Sequence, residues 1–223
     1  MATVGRVTGD RPDPRGARWT ELTGEARGST YDARWEQLAA EGVSVHGEAD
    51  LVWDLLAPRR AHDPDTPPLV LDAGCGTGRV AIELARRGAE AVGVDRDGDL
   101  LAAAQAKAPD LRWITADLQD LGHVAPARSV DLAVLAGNVL VFVDPGSERS
   151  VLGEVAATLR PGGLLVAGFQ VRPGGYGPTA LDADAARCGL RLGDRWSTWD
   201  RAPWSAGTDY QVSVHVVDAV PSG

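Results

Sequence analysis

Cysteine is nearly absent. Two thiols in 223 residues, Cys75 and Cys188, exclude a disulfide framework and a zinc cluster, and they read as small loop or core side chains. No metal site is expected. No apolar run reaches the length a bilayer demands, and residues 1–18 lack the apolar centre of a signal peptide. The expectation is a cytoplasmic protein without a membrane partner. Basic clusters are missing too: 22 Lys and Arg are scattered, and a net charge of −9 would repel a phosphate backbone. Nucleic acid is therefore not expected as a partner. Internal repeats and low-complexity tracts are not seen. What remains is an ordinary globular composition, 44% hydrophobic and 24% charged, on a length that suits a single domain.

Three regions divide the chain. Residues 1–18, rich in Pro, Gly and charge, read as a mobile tail. Residues 19–66 read as an N-terminal helical cap. Its first helix lies in "STYDARWEQLAAEG", with Tyr31, Trp35, Leu38 and Ala39 at helical spacing, and its second in "HGEADLVWDLLAPR", which Pro58 is expected to end. "RRAHDPDTPP" then reads as a linker. Residues 67–218 form the core: "LVLDA", "AVGVD", "LRWITAD", "VDLAVLAG" and "LLVAGFQ" are short apolar runs, and "GRVAIELARRG", "DGDLLAAAQAKAP" and "ERSVLGEVAATLRPGG" between them carry helical spacing. Strand and helix in alternation predict an α/β fold, a Rossmann-like doubly wound parallel sheet with helices on both faces. The last two strands, "LRLGDRWSTW" and "DYQVSVHVV", have too short a connection for a crossover helix and are expected to run antiparallel. In the second, Gln211, Ser213 and His215 alternate with valines, which sits poorly with a strand buried on both faces.

The chemistry concentrates in "LDAGCGTGR". A strand, a Gly-x-Gly-x-Gly turn and a helix put bare backbone at the carboxyl edge of a parallel sheet, where open α/β folds bind ligands. The third glycine comes one residue early for a dinucleotide fingerprint. "VGVD" ends the second strand on Asp95, whose two oxygens suit the hydroxyls of a ribose. "ITADLQDL" ends the third on Asp117, which suits an adenine amine, and the fourth runs into "LAGN".

These motifs, in this order over Leu69 to Val217, resemble the class I S-adenosylmethionine-dependent methyltransferases. The resemblance implies S-adenosylmethionine as cofactor and transfer of its methyl group. It implies that Asp72 orients the methionine amine, and that Gly74, Cys75, Gly76, Thr77, Gly78 and Arg79 lie along the methionine and ribose. Asp95 would then hold the ribose, Arg96 and Leu118 the two adenine faces, and Asp117 the adenine amine, while Ala136 and Asn138 border the sulfonium. Tyr31 and Trp35 would come from an N-terminal helix that folds over the cofactor as a lid.

A sulfonium is an activated donor, so alignment and exclusion of water are the main requirements. Should the acceptor need a base, His46, His123 and Asp144 are the candidates. The chain has neither an Asn/Asp-Pro-Pro-Tyr motif nor a Pro-Cys nucleophile, which disfavours planar amines and cytosine as acceptors. A small-molecule acceptor is expected, with Trp35, Tyr176, Trp199 and Trp204 as candidate pocket walls. Two other readings stay open at this point: a non-catalytic S-adenosylmethionine-binding regulatory module, and a dinucleotide oxidoreductase of the NAD type. Oligomeric state is not legible.

Overall fold

The computed structural model describes residue 41 and residues 45–123 and 127–218. The tail, the first expected helix and the lid residues Tyr31 and Trp35 lie outside the described residues.

Among the described residues two short helices come first, α1 (Gly47–Leu55) and α2 (Ala57–His62). Glu48 and Asp50 in the first turn of α1 suit the positive end of its dipole, and Ala49, Leu51 and Val52 bury its apolar stripe. Pro58 does not end the helical path: it occupies the first turn of α2, where a missing N–H costs nothing. The linker expected from Arg59 is helical as far as His62.

Seven strands follow: β1 (Leu69–Ala73), β2 (Glu90–Asp95), β3 (Arg112–Thr115), β4 (Val130–Leu135), β5 (Leu159–Gln170), β6 (Leu190–Trp196) and β7 (Tyr210–Val217). Between them stand α3 (Arg79–Arg86), α4 (Gly98–Lys107), a 3-10 segment (Leu118–His123), α5 (Val139–Phe142), α6 (Glu148–Thr158) and α7 (Pro178–Arg187). The sheet order is β3-β2-β1-β4-β5-β7-β6. β1 to β5 pair in parallel, while β7 lies antiparallel to both β5 and β6. The Rossmann-like doubly wound reading holds, including the antiparallel end.

Period-2 alternation sends the two faces of the sheet into two cores. Leu71, Ala73, Leu135, Leu165 and Phe169 meet Val151, Leu152 and Val155 of α6 and Leu181 and Ala185 of α7 on one side. Val70, Leu132, Val134 and Val166 meet α1 and α3 on the other, so the described part of the expected cap is a layer of the core. Helix α7 was not anticipated, although Pro178 at its start, Leu181 and Ala185 four residues apart, and Gly189 just beyond its end are helix signals.

The polar face of β7 is buried rather than solvated: Gln211, Ser213 and His215 are all fully covered. Gln211 donates to the Ala167 carbonyl of β5 at 3.2 Å and accepts from Ser213 Oγ, while Arg195 of β6 and Asp182 of α7 supply the partners of Ser213 and His215. Arg195 donates to Ser213 Oγ at 2.8 Å and to both Asp182 oxygens at 3.1 and 2.6 Å, and His215 Nε2 lies 3.1 Å from Asp182. Burial holds the His215 imidazole below its usual pKa, against the pull of Asp182.

Candidate functional site

The strand-to-helix turn after β1 has the three left-handed glycines its sequence implies, Gly74, Gly76 and Gly78, at φ of 80°, 55° and 80°. They serve different purposes. A Cβ at Gly78 would stand 2.4 Å from the ring of Trp113, so this glycine admits the protein's own side chain. A Cβ at Gly76 would meet nothing nearer than Leu100 Cδ1 at 4.0 Å, which leaves the mid-loop backbone open to an incoming group.

Asp95 at the end of β2 holds that loop in place. Its Oδ2 accepts the Gly76 N–H at 2.8 Å and its Oδ1 accepts the Asp97 N–H at 2.9 Å. Burial raises its pKa, and these two backbone donors pull the other way. Asp97 in turn caps α4 through the N–H groups of Asp99 and Leu100. β3 stops at Thr115, so Asp117 sits in the following turn, where it accepts the Gln119 N–H at 2.9 Å and lies 3.3 Å from Arg96 Nη1. Leu118 is buried in the core beside it. The structure thus brings Asp95, Arg96 and Asp117 together at one edge, as the sequence implied.

Asp72 is 2% exposed and accepts the Ala81 N–H at 3.0 Å from the first turn of α3. Desolvation pushes its pKa up to about 7, with the Ala81 hydrogen bond and the charge of Arg79 opposing the shift. Such a carboxyl gains from a cation placed beside it. Burial and the neighbouring Asp72 and Asp95 charges push the Cys75 thiol up, so it is a neutral filler and not a nucleophile. Thr77 is buried in the same turn.

Beyond β4, Ala136 packs against the α1 and α3 side of the sheet. Asn138 takes φ of 71° at the start of α5, but its side chain does not cap that helix. It reaches across to β5, where its Oδ1 accepts the Gln170 N–H at 2.7 Å, while its own N–H donates to Gly168 O at 3.3 Å. These bonds bind the ends of β4 and β5 into one surface.

The aromatics separate. Trp199 leans on β5 so closely that a Cβ at Gly168 would be 2.2 Å from its Cζ2, and its Nε1 donates to Tyr210 Oη at 3.1 Å. That puts it next to the Asn138 surface. Trp204 lies under Arg195, 5.4 Å from guanidinium carbon to ring centre. Tyr176 packs beside Phe169 with ring centres 6.0 Å apart and donates to Asp184 at 3.2 Å; burial raises its phenol pKa. The base candidates are not brought together. His46 begins α1, where its Nδ1 lies 4.0 Å from Glu83 on α3, and Asp144 forms the turn between α5 and α6, where its carbonyl accepts the Ser147 N–H. His123 ends the 3-10 segment, and its side chain lies outside the described residues.

Sequence reasoning passed over two supports. Trp113 pairs in register with Gly93 on β2 and fills the space under the loop; a Cβ on Gly93 would be 2.3 Å from its ring. An aromatic on one strand and a glycine on the next was the available signal. The second is Glu48, which grips Arg79, the residue directly after the glycines, through both carboxylate oxygens at 2.9 and 2.5 Å. Arg79 also donates to the Val45 carbonyl.

A family profile described as a methyltransferase domain matches residues 70–163. A TehB-like S-adenosylmethionine-dependent methyltransferase of Corynebacterium glutamicum superimposes with a TM-score of 0.73 at 32% identity, over 85% of this chain and 97% of that one. Among curated relatives, a trans-aconitate 2-methyltransferase of an Azoarcus species is 37% identical over 50% of this chain and 42% of its own length. An uncharacterised methyltransferase of Mycobacterium bovis is 30% identical over 69% and 63% respectively. Over the first four curated relatives, the match spans 38–51% of their lengths.

Proposed function

The chain belongs to the S-adenosylmethionine-dependent methyltransferases, and on that premise we propose that it methylates a small-molecule acceptor, chiefly by aligning it in line with the donor. The family's cofactor is S-adenosylmethionine, which when bound supplies an already activated methyl group. The residues present fit it. The open face of Gly76 leaves room for a ligand against backbone, and the buried Asp72 carboxyl is one that an ammonium group would favour in its charged form.

In this reading Asp95 keeps its backbone bonds to Gly76 and Asp97 and uses its remaining lone pairs for the ribose. Asp117, Arg96 and Leu118 hold the adenine end, and the turn from Gly74 to Arg79 holds the methionine end. Ala136 and Asn138 border the reacting carbon. The observation that carries the reading is the meeting of these groups on one carboxyl edge, with Asn138 bonded to the end of β5. The chain's part in the reaction is to bind, orient and exclude water. Residues 67–218, with α1 packed on them, form the catalytic unit in this reading.

Among the described residues no helix is long and apolar enough to cross a membrane. The test is consumption of S-adenosylmethionine in the presence of a metabolite extract, with mass detection of products that gain one methyl group. Cofactor binding without any methylated product would identify a binding module in place of an enzyme.

A further inference from the structure

We propose that Arg172 recognises an anionic group, a carboxylate or a phosphate, on the methyl acceptor, through its position beside Gln170 and Asn138 at the end of β5. This rests on the methyl-transfer reading above and names the class of acceptor.

The backbone of Arg172 is held from both sides. Just before it, the Val171 N–H donates to the Asp209 carbonyl at 2.8 Å, which ties the end of β5 to the loop leading into β7. Just after it, the Gly175 N–H returns to the Arg172 carbonyl at 3.0 Å and closes a turn, with Pro173 of restricted φ and Gly174 at φ of 73°. The side chain is exposed, and one hydrogen bond orients it. Arg172 Nη2 donates to Gln170 Oε1 at 3.0 Å, and the Gln170 N–H donates to Asn138 Oδ1 at 2.7 Å. A guanidinium is thus joined through one residue to the side chain assigned to the border of the reacting carbon.

Charge distinguishes this arginine from others of the proposed site and of the β6–β7 end of the sheet. Arg79 is paired with Glu48, Arg96 with Asp117, Arg195 with Asp182 and Arg201 with Asp54. The hydrogen bond of the Arg172 side chain goes instead to a neutral amide, which orients the fork without cancelling its charge. A planar guanidinium with donors to spare matches a carboxylate or phosphate in two parallel hydrogen bonds. On a protein of net charge −9, an anionic substrate needs such a local cation to be held.

The experiment supplies the full chain with S-adenosylmethionine and three matched panels: small carboxylic acids, small phosphate monoesters, and the corresponding neutral amides and alcohols. Methyl gain is read by mass, and cofactor affinity by calorimetry, for the wild type, Arg172→Gln and Arg172→Lys. The wild type is expected to methylate members of an anionic panel, and which panel responds separates carboxylate from phosphate. Arg172→Gln should raise KM for those acceptors by about tenfold or more with kcat changed less than about threefold, and Arg172→Lys should recover part of the loss. Cofactor Kd should be the same in all three proteins. Use of neutral acceptors in preference, an unchanged KM in Arg172→Gln, or normal cofactor binding with no methylation in either anionic panel would each overturn the proposal. Absence of cofactor binding in the wild type would instead overturn the methyl-transfer reading, and this proposal with it.

Discussion

Glu48 and Arg79, 31 residues apart, form a two-pronged ion pair in which both side chains are nearly withdrawn from water, at 11% and 15% exposure. The pair fastens the start of α1 to the first residue after the glycine turn, so α1 and the proposed cofactor loop are directly joined.

Removing one partner of this pair leaves the other charge buried. Glu48→Ala and Arg79→Ala are each expected to cost about 3 kcal/mol of stability, and the two combined much less than the sum of the single changes. Urea unfolding of the four proteins checks this; strict additivity would show that the two side chains do not depend on each other. Cofactor affinity should fall in Glu48→Ala, since the first turn of α3 loses its anchor.

Asp95 does two jobs in the proposed site. Asp95→Ala is expected to weaken S-adenosylmethionine binding by about 2–4 kcal/mol, and also to lower the melting temperature, because the Gly76 and Asp97 N–H groups lose their acceptor. Titration calorimetry and thermal melts measure the two effects. Unchanged cofactor affinity would remove Asp95 from the ribose position.

Asp72 makes a prediction in pH. Its folded pKa of about 7 lies above the ordinary 3.8, so between those values the folded state holds a proton that the unfolded chain has released. The stability from this group is therefore complete below about pH 4 and is lost as pH rises through 7. Asp72→Asn should flatten that part of the stability curve. For the same reason a cofactor ammonium must displace the proton, so S-adenosylmethionine should bind the wild type more tightly at pH 7.5 than at pH 5.5. Calorimetry in buffers of different ionisation enthalpy should record the proton released at the lower pH.

Gly168 and Trp199 are matched in shape. Gly168→Ala would drive a methyl into the indole, and a loss of about 1–3 kcal/mol is expected, most of it recovered when Trp199→Leu is added. Because the Gly168 carbonyl accepts the Asn138 N–H, the single variant should also slow methyl transfer more than it weakens cofactor binding. Equal effects on both would show that the indole does not position the acceptor side.

Asp131 offers a control at the opposite edge of the sheet. It accepts from Arg59 at 2.9 Å, from Arg160 at 2.5 Å and from the Leu69 N–H at 2.8 Å. Asp131→Ala should cost about 3 kcal/mol of stability and leave cofactor affinity unchanged in protein that remains folded. A matching drop in affinity would mean that the two edges are coupled.

The sequence by itself determined the alternation of buried strands with helices and the glycine turn at the end of β1. It also placed an acid at the end of β2 and another close to the end of β3, because each of these follows from local periodicity, from glycine's access to left-handed backbone, or from the polar residues that bound buried strands. It did not show α7, whose apolar stripe is just Leu181 and Ala185, too narrow to stand out until β5 and β6 lay beneath it. Nor could it explain Gln211, Ser213 and His215. An alternating strand reads as half-solvated, and the polar face could be buried because the Ala167 carbonyl of β5 meets Gln211 while Arg195 and Asp182 arrive from separate elements to meet Ser213 and His215. The grip of Glu48 on Arg79, the wedge of Trp113 under Gly78 and Gly93, and the reach of Asn138 to Gln170 belong to tertiary structure alone. Each joins groups that lie many residues apart, and no local spacing encodes which distant partner a side chain will meet once the sheet is assembled.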